Sequence, residues 1–212
     1  MPPLRTPASP RLRLVAAAVA LSGMLPACGD SSHRFVVNRD EKVYLKLPRD
    51  WADRPYDEGS PDQLEQLTSE VTLVWRSAAA PAGTAGDDAP LLTTAVYEVS
   101  GQLNQKMSAS LARVAASPLG FDPVLPGDDT QSGQVEVLDY NPLGFDGLNG
   151  TRALFRARDD ANSEWNAVYD MSTAFDLSTF RLYVLIVGCS PDCYEANKDA
   201  ITSAANSWLV KP

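Results

Sequence analysis

The stretch Phe180-Arg-Leu-Tyr-Val-Leu-Ile-Val-Gly188, FRLYVLIVG, is the most informative segment for the fold. It is apolar at consecutive positions, whereas a strand with one face in water alternates apolar and polar residues. This pattern predicts a central strand that is covered on both sides. The fold should therefore consist of a sheet with further layers above and below it.

The segments before this strand show the two-residue repeat of half-buried strands. In the first of them Val43, Leu45 and Leu47 point to one side and the lysines to the other. The predicted strands are 42–47, 71–75, 91–100, 134–140, 150–158, 164–171 and 180–188. The stretch 78–90, AAAPAGTAGDDAP, is predicted to be a flexible insertion or a hairpin tip.

Two segments have helical spacing. Between residues 101 and 117 apolar residues recur at steps of four, four and three, after the possible N-cap Ser100 and before the stop Pro118. The closing helix, 192–209, carries an apolar stripe of Tyr194, Ile201 and Trp208. Strands in runs with helices outside them indicate an α+β fold with a largely antiparallel sheet.

The order of these elements resembles the PsbP-like family. The resemblance is carried by LPRDW (Leu47–Trp51) after an early strand and by NSWLV (Asn206–Val210) in the closing segment. It implies an antiparallel sheet between layers of helices, an α/β/α sandwich, in a single domain of residues 34–212. Members of this family, which include many actinobacterial lipoproteins, are mostly accessory or binding modules without catalytic machinery.

The first 28 residues have the features of an export signal. Arginines at positions 5, 11 and 13 precede an apolar run of 12 residues, Leu14 to Leu25, which is too short for a transmembrane helix. Leu25-Pro26-Ala27-Cys28 then resembles the bacterial lipobox, which implies a diacylglyceryl thioether on Cys28, cleavage before it and often a palmitate on the new amine. We expect a signal peptide (1–27), a lipidated tether (28–33) and an address on the extracytoplasmic face of the cell membrane. An ordinary signal peptide, with Cys28 incidental, is the alternative.

The net charge of the mature chain limits the classes of partner that the protein can bind. Removal of residues 1–27 leaves 15 basic and 27 acidic residues, a formal net charge of −12. This excess of acidic residues argues against nucleic acid as a binding partner and against a domain that lies flat on anionic lipid. The partners that remain are the membrane, through the lipid anchor on Cys28, and an envelope protein of unknown identity.

The two remaining cysteines, Cys189 and Cys193, lie where the apolar strand gives way to the closing helix. Ser190 and Pro191 between them suit the N-cap and first position of that helix. Outside the cytoplasm such a pair should form a disulfide. A redox pair and a metal site are the alternatives, against which stand the spacing of three intervening residues and the lack of further ligands.

No pattern of catalytic residues, cofactor binding or metal ligation stands out. The single histidine, His33, falls on the predicted tether, and no nucleophile-elbow, P-loop or dinucleotide fingerprint occurs. The run Asp159-Asp160-Ala-Asn-Ser-Glu164 resembles half a calcium loop but lacks its glycine and final glutamate, so we interpret it as a hairpin turn. We therefore predict a protein that is not an enzyme.

One basic cluster stands out against the acidic background. Arg152, Arg156 and Arg158 share one face of a predicted strand, and Arg181 could extend the row. Guanidinium groups suit an anionic ligand or a partner's carboxylates. The alternative is cross-strand pairing with Glu164 and Asp170. The four tryptophans are interpreted as core or edge anchors rather than a carbohydrate platform.

Together these features predict a lipid-anchored accessory module that binds a protein of the cell envelope. The alternative function is a lipid or glycolipid carrier, which would need an apolar pocket between sheet and helix.

Overall fold

The computed structural model describes residues 32–55, 69–84, 89–127, 129–145, 147–160 and 163–211. The predicted signal peptide, Cys28 and residues 29–31 of the tether lie outside the described residues.

Ten strands and four helices are described. The strands are β1 (His33–Asn38), β2 (Val43–Pro48), β3 (Trp51–Asp53), β4 (Val71–Pro81), β5 (Leu91–Val99), β6 (Val135–Phe145), β7 (Leu148–Ala157), β8 (Ala167–Asp176), β9 (Arg181–Cys189) and β10 (Leu209–Val210). The helices are α1 (Gly101–Lys106), α2 (Ala109–Ala116), α3 (Asp129–Gln134) and α4 (Pro191–Ser207).

The main layer is a seven-stranded sheet in the order β3-β4-β5-β9-β8-β7-β6, with antiparallel pairing throughout. The apolar strand β9 is the fourth of the seven, and its Leu182, Leu185 and Val187 are completely buried. The prediction of a central strand covered on both sides is confirmed. The predicted α+β fold with an antiparallel sheet is also confirmed.

One face of this sheet, the α4 face, is defined by Leu185 and Val187 of β9. It is covered by α4 and by a second sheet of three strands in the order β1-β2-β10, which we call the small sheet. Val43, Leu45 and Leu47 of β2 point into the same core, as their alternation predicts. The small sheet itself was not predicted, because β10 has only two residues and pairs with a strand more than 160 positions earlier.

The opposite face, the α2 face, is defined by Leu182 and Val184 of β9. Helix α2 packs there through Ala112, next to half-buried side chains of α1. The segment after α2 continues this layer, where Leu119, Phe121 and Val124 pack against Phe155 of β7. The large sheet therefore lies between two layers, as in the predicted sandwich, although a small sheet forms part of one layer.

The prediction of a single helix over residues 101–117 is wrong, because the chain forms two short helices there. Met107 and Ser108 adopt extended backbone angles, and the Ser108 hydroxyl accepts a hydrogen bond from the Leu111 N–H at 3.2 Å. A serine that caps a new helix competes with continuation of the old one. Ser100 does not cap α1 through its side chain; the Glu70 carboxylate accepts from the N–H groups that open this helix.

Four further boundaries differ from the predictions. Residues 78–81 belong to β4 rather than to a flexible tip, because Ala78 and Ala79 pair with β5 while Pro81 pairs with Trp51. Helix α4 ends at Ser207, since the next residues form β10, and β8 begins at Ala167 rather than at residue 164. His33, the last residue assigned to the tether, opens β1.

Candidate functional site

A groove of about 570 Å³ lies on the α2 face of the large sheet. Its floor consists of side chains from the central strands, and its wall is the segment that follows α2. The floor residues include Thr93, Tyr169, Ile186 and Gly188, and the wall includes Pro118 and Leu119. The groove thus lies at the end of the sheet where β5 and β8 begin and β7 and β9 end.

The groove exists because α2 is shorter than the strands beneath it. The helix contacts the sheet around Leu182 and Val184, and it ends where the Ser117 N–H bonds to the Arg113 carbonyl at 2.9 Å. Beyond that point the α2 face remains partly open. Leu91 at the rim is consequently 48% exposed, although it pairs with the central strand.

The floor of the groove depends on a close approach between Tyr169 and Gly188, which are register partners on β8 and β9. A Cβ atom added to Gly188 would lie 2.6 Å from Cε1 of the Tyr169 ring. The ring therefore occupies the space that any other residue at position 188 would fill. Burial, and secondarily the charge of Asp159, raises the pKa of the Tyr169 hydroxyl, so it stays a neutral hydrogen-bond donor at neutral pH.

The wall of the groove is held in place by a buried ion pair that sequence reasoning missed. Asp122, in the segment after α2, accepts hydrogen bonds from Arg113 of α2 and from the Ser110 hydroxyl at 2.6 Å. The Arg113 guanidinium also donates to the Tyr140 hydroxyl on β6 at 3.2 Å. A lone arginine on a helix gives no local signal that it will be buried, so only the tertiary structure reveals this pair.

The pKa values of the pair follow from these contacts. Burial alone would raise the pKa of Asp122, but the hydrogen bonds from Arg113, Ser110 and the Val124 N–H outweigh burial and lower it. Burial alone would lower the pKa of Arg113, but the hydrogen bonds and charge of Asp122 outweigh it and raise the pKa. Both groups are therefore charged at neutral pH.

The mouth of the groove contains Arg158, one of the four arginines predicted as a binding cluster. Its guanidinium donates to the carbonyl oxygens of Gly133 at 2.7 Å and Ser163 at 3.2 Å, and its central carbon lies 4.4 Å from the centre of the Trp165 ring. Among the described residues no carboxylate pairs with Arg158. Asp159, the next residue, also lines the groove, so its mouth presents one basic and one acidic side chain.

Arg152 and Arg156 are ion-paired inside the chain. Arg152 binds Asp170 of β8, with 2.7 Å between Nε and the carboxylate, and also contacts Asn206 of α4. The hydrogen bond with Asp170, more than any other influence, raises the pKa of Arg152. Arg156 binds Glu136 of β6 at 2.6 Å. Both arginines therefore form cross-strand ion pairs, as in the alternative interpretation. Asp170 is one of the two acids expected there, but Arg156 pairs with Glu136 rather than with Glu164.

Arg181 does not extend the row. It pairs with Glu98 of β5 at 2.7 Å and lies 3.5 Å from Glu41. In the sheet register Arg152 of β7 pairs with Ser172 of β8, and Ser172 pairs with Leu185 of β9. Arg181 is therefore two strands away from Arg152 and four residues from Leu185 along β9. At about 3.4 Å per residue, the offset along the strand alone is roughly 14 Å.

Cys189 and Cys193 are joined in a disulfide, with their Cα atoms 5.9 Å apart. Ser190 is the N-cap of α4 and accepts a hydrogen bond from the Cys193 N–H at 3.3 Å, and Pro191 opens the helix. Cys189 and Ser190 also line the groove. The disulfide therefore fixes the junction of β9 and α4 at one end of the groove.

The tryptophans serve mainly as anchors. Trp51 and Trp208 are buried in the core on the α4 face, where the Trp208 ring meets Phe145 edge-on at 5.5 Å. Trp75 packs partly buried against the same core, and Trp165 is half-buried beneath Arg156 and Arg158.

The turn between β7 and β8 contains Asp160, which accepts a hydrogen bond from the Ser163 N–H at 3.0 Å. Residues 161–162 of the predicted turn lie outside the described residues. Within the described ranges no three His, Cys, Asp or Glu side chains come together as a metal site would require. No helix in those ranges is long and apolar enough to cross a membrane.

The large sheet with its two covering layers has the PsbP-like fold, as comparison with solved structures shows. The cyanobacterial PsbP protein (CyanoP) of Synechocystis sp. PCC 6803 matches with a TM-score of 0.53 and 14% identity, over 89% of this chain and 98% of that one. LpqN of Mycobacterium tuberculosis, involved in cell envelope biogenesis, matches with a TM-score of 0.50 and 14% identity, over 85% of this chain and 91% of that one. No protein-family model and no curated protein matches the chain.

Proposed function

We propose that this chain is a lipid-anchored lipoprotein on the extracytoplasmic face of the cell membrane, where its PsbP-like domain binds a protein of the cell envelope without catalysing a reaction. The lipobox ending at Cys28 supports the anchor and its location. The fold is similar to that of LpqN, a protein involved in cell envelope biogenesis, which supports an envelope role.

The groove on the α2 face is the observation that carries the binding proposal. It has a volume of about 570 Å³, a floor that includes Ile186 and Tyr169, and the charged side chains of Arg158 and Asp159 at its mouth. Its floor is built on paired strands, so the site needs little reorganisation on binding. We assign the groove to an extended segment of the partner, with an acidic side chain of that segment at Arg158.

An open groove favours a polypeptide over a lipid. Small-molecule pockets enclose most of the surface of their ligand, whereas the rim residue Leu91 remains 48% exposed in this groove. A lipid or glycolipid carrier is the second candidate function. It is favoured by the groove volume and by a smaller groove of about 330 Å³ between the α1–α2 junction and β6–β7, lined by Met107, Leu143 and Phe175.

Photo-crosslinking separates the two candidates. The photoreactive residue p-benzoylphenylalanine replaces Leu91 in the native lipidated protein, and adducts formed in cells are identified by mass spectrometry. Val74 is the control position, because it is also an exposed apolar residue of the large sheet but lies at the β4 bulge, away from the groove. A protein adduct at Leu91 and not at Val74 supports the proposal, a lipid adduct supports the carrier, and equal labelling at both positions contradicts a site in the groove.

The anchor has its own test. We expect metabolic labelling with palmitate to mark the wild-type protein and Cys28→Ser to move it from the membrane fraction to the soluble fraction. An unlabelled wild-type protein, or a variant that fractionates unchanged, would contradict lipid anchoring.

A further inference from the structure

The small sheet has one face in the core and one face in solvent. Its β2 side chains Val43, Leu45 and Leu47 are almost completely buried, so the alternate residues point outward. We call the outward surface formed by Phe35, Val37, Tyr44, Lys46 and Leu209 the outer face. Phe35 is 66% exposed, Val37 47% and Leu209 41%, although apolar side chains of this size are usually buried.

These exposed residues are neighbours rather than scattered points. In the strand register Val37 of β1 and Leu209 of β10 both pair with Tyr44 of β2, one on each side, and Phe35 pairs with Lys46. The outer face is therefore a continuous apolar surface across three strands. A continuous exposed apolar surface usually marks a contact with a partner or a membrane.

Positive charge accompanies the apolar residues. Lys46 lies on the outer face opposite Phe35, and the ammonium of Lys211 lies 5.0 Å from the centre of the Tyr44 ring. Aromatic and aliphatic side chains combined with lysines are typical of surfaces that insert into the boundary between lipid headgroups and acyl chains.

The local charge differs from that of the whole chain. The net charge of −12 argues against a domain lying flat on anionic lipid, but the force at a membrane acts within about 8–10 Å at physiological salt. Glu41, in the turn after β1, is directed to Arg181 at 3.5 Å. Asp40 and Asp50 lie in the turns that flank β2, at the ends of the outer face. The surface between them carries the apolar side chains, Lys46 and the ammonium of Lys211.

The position of the outer face relative to the proposed anchor favours the membrane, rather than a protein, as the partner of this face. β1 begins at His33, five residues after Cys28, so an extended connection reaches at most about 18 Å. Phe35 lies two residues further along the same strand. An anchored chain therefore keeps the outer face close to the bilayer.

We propose that the outer face docks on the phospholipid bilayer, with Phe35 and Val37 at the headgroup–acyl boundary and the lysines on anionic headgroups. This inference rests on the proposed lipid anchor at Cys28. Docking orients the domain, because the groove and the outer face belong to layers on opposite sides of the large sheet. The groove then faces away from the membrane, toward envelope proteins.

The test uses the full lipidated protein in vesicles of phosphatidylcholine and phosphatidylglycerol. p-Benzoylphenylalanine replaces Phe35 in one sample and Leu125 in a matched control. Leu125 is 64% exposed, close to the value for Phe35, but follows α2 on the opposite side of the large sheet. After irradiation, phospholipid adducts are counted by mass spectrometry on vesicles recovered by flotation. We expect at least a tenfold excess of lipid adducts at position 35.

Charge reversal gives a second readout. Lys211→Glu should reduce lipid adducts at position 35 by about fivefold, because its ammonium lies over Tyr44 on the outer face. Lys198→Glu, on the exposed side of α4 beside Glu195, is the matched control and should leave the adducts unchanged.

The outcomes separate docking from anchoring. Flotation with lipid adducts confined to position 35 supports docking. Flotation with equal adducts at both positions, or with protein adducts at position 35, overturns docking and leaves the anchor intact. If the protein does not float, the anchor itself is contradicted and docking falls with it.

Discussion

The Asp122 carboxylate accepts hydrogen bonds from Nε and Nη2 of Arg113 at 2.8 and 2.7 Å, and both side chains are only 4% exposed. This pair connects α2 to the segment that forms the wall of the groove. A buried ion pair adds little stability compared with apolar residues of the same shape, but removal of one member leaves a charge without a partner. The pair therefore makes the groove wall sensitive to single substitutions.

We predict that Asp122→Ala lowers the free energy of unfolding by about 3–5 kcal/mol, because the Arg113 guanidinium would remain buried without its carboxylate. Urea denaturation monitored by tryptophan fluorescence measures the change. Glu136→Ala is the control, since it breaks the Arg156 pair, whose side chains are 37% and 46% exposed. Such an exposed pair contributes at most about 1 kcal/mol. Equal losses for the two variants would contradict the importance of burial.

The same pair predicts how stability depends on pH. The pKa of Asp122 is lowered in the folded state, so this group contributes stability that is fully present above its unfolded pKa of about 3.9 and is lost as the pH falls through the lower, folded pKa. Asp122→Asn removes the titration. We expect the wild type to lose more unfolding free energy than Asp122→Asn between about pH 5 and pH 2.5. Parallel curves for the two proteins would show that Asp122 does not titrate in this range.

The parts of the fold that could be predicted from sequence have local signals. The continuous apolar run of β9 placed it at the centre of a sheet, and the alternation of Val43, Leu45 and Leu47 gave the buried side of β2. Ser190 before α4 and Pro191 at its first position marked the start of this helix. Each of these signals involves only a few neighbouring residues, so it can be recognised without knowledge of the tertiary structure.

The parts that could not be predicted depend on distant residues. The break between α1 and α2 is invisible to apolar spacing, because Leu103 and Met107 keep the helical step across it. The wall of the groove depends on Arg113 and its distant partner Tyr140, and its floor on strands paired over more than 90 positions. The arginine row was predicted from strand parity and Asp170 was considered as a partner, but the acid that pairs with Arg156 is Glu136 of β6, which the sequence reasoning did not consider.

Loss of the disulfide should cost a modest amount of stability. The loop from Cys189 to Cys193 contains five residues, for which the chain-entropy model predicts about 2 kcal/mol. We expect Cys189→Ala with Cys193→Ala to lower the free energy of unfolding by that amount in urea. A reductant should have the same effect on the wild type and none on the double variant. A loss of more than about 4 kcal/mol would mean that the cysteines do more than close this loop.

The contact between Gly188 and Tyr169 predicts an interaction that depends on the aromatic ring. Gly188→Ala places a Cβ atom 2.6 Å from the ring, so the ring must move within the groove floor, at a cost of about 1–3 kcal/mol. In the background Tyr169→Ala the same substitution should cost far less, because the obstructing ring is gone, and a double-mutant cycle in urea measures the difference. Gly144→Ala is the matched control, since Gly144 is also a strand glycine but has no atom within 4 Å of an added Cβ. If Gly188→Ala is equally costly with and without the ring, the backbone at position 188, not Tyr169, requires the glycine.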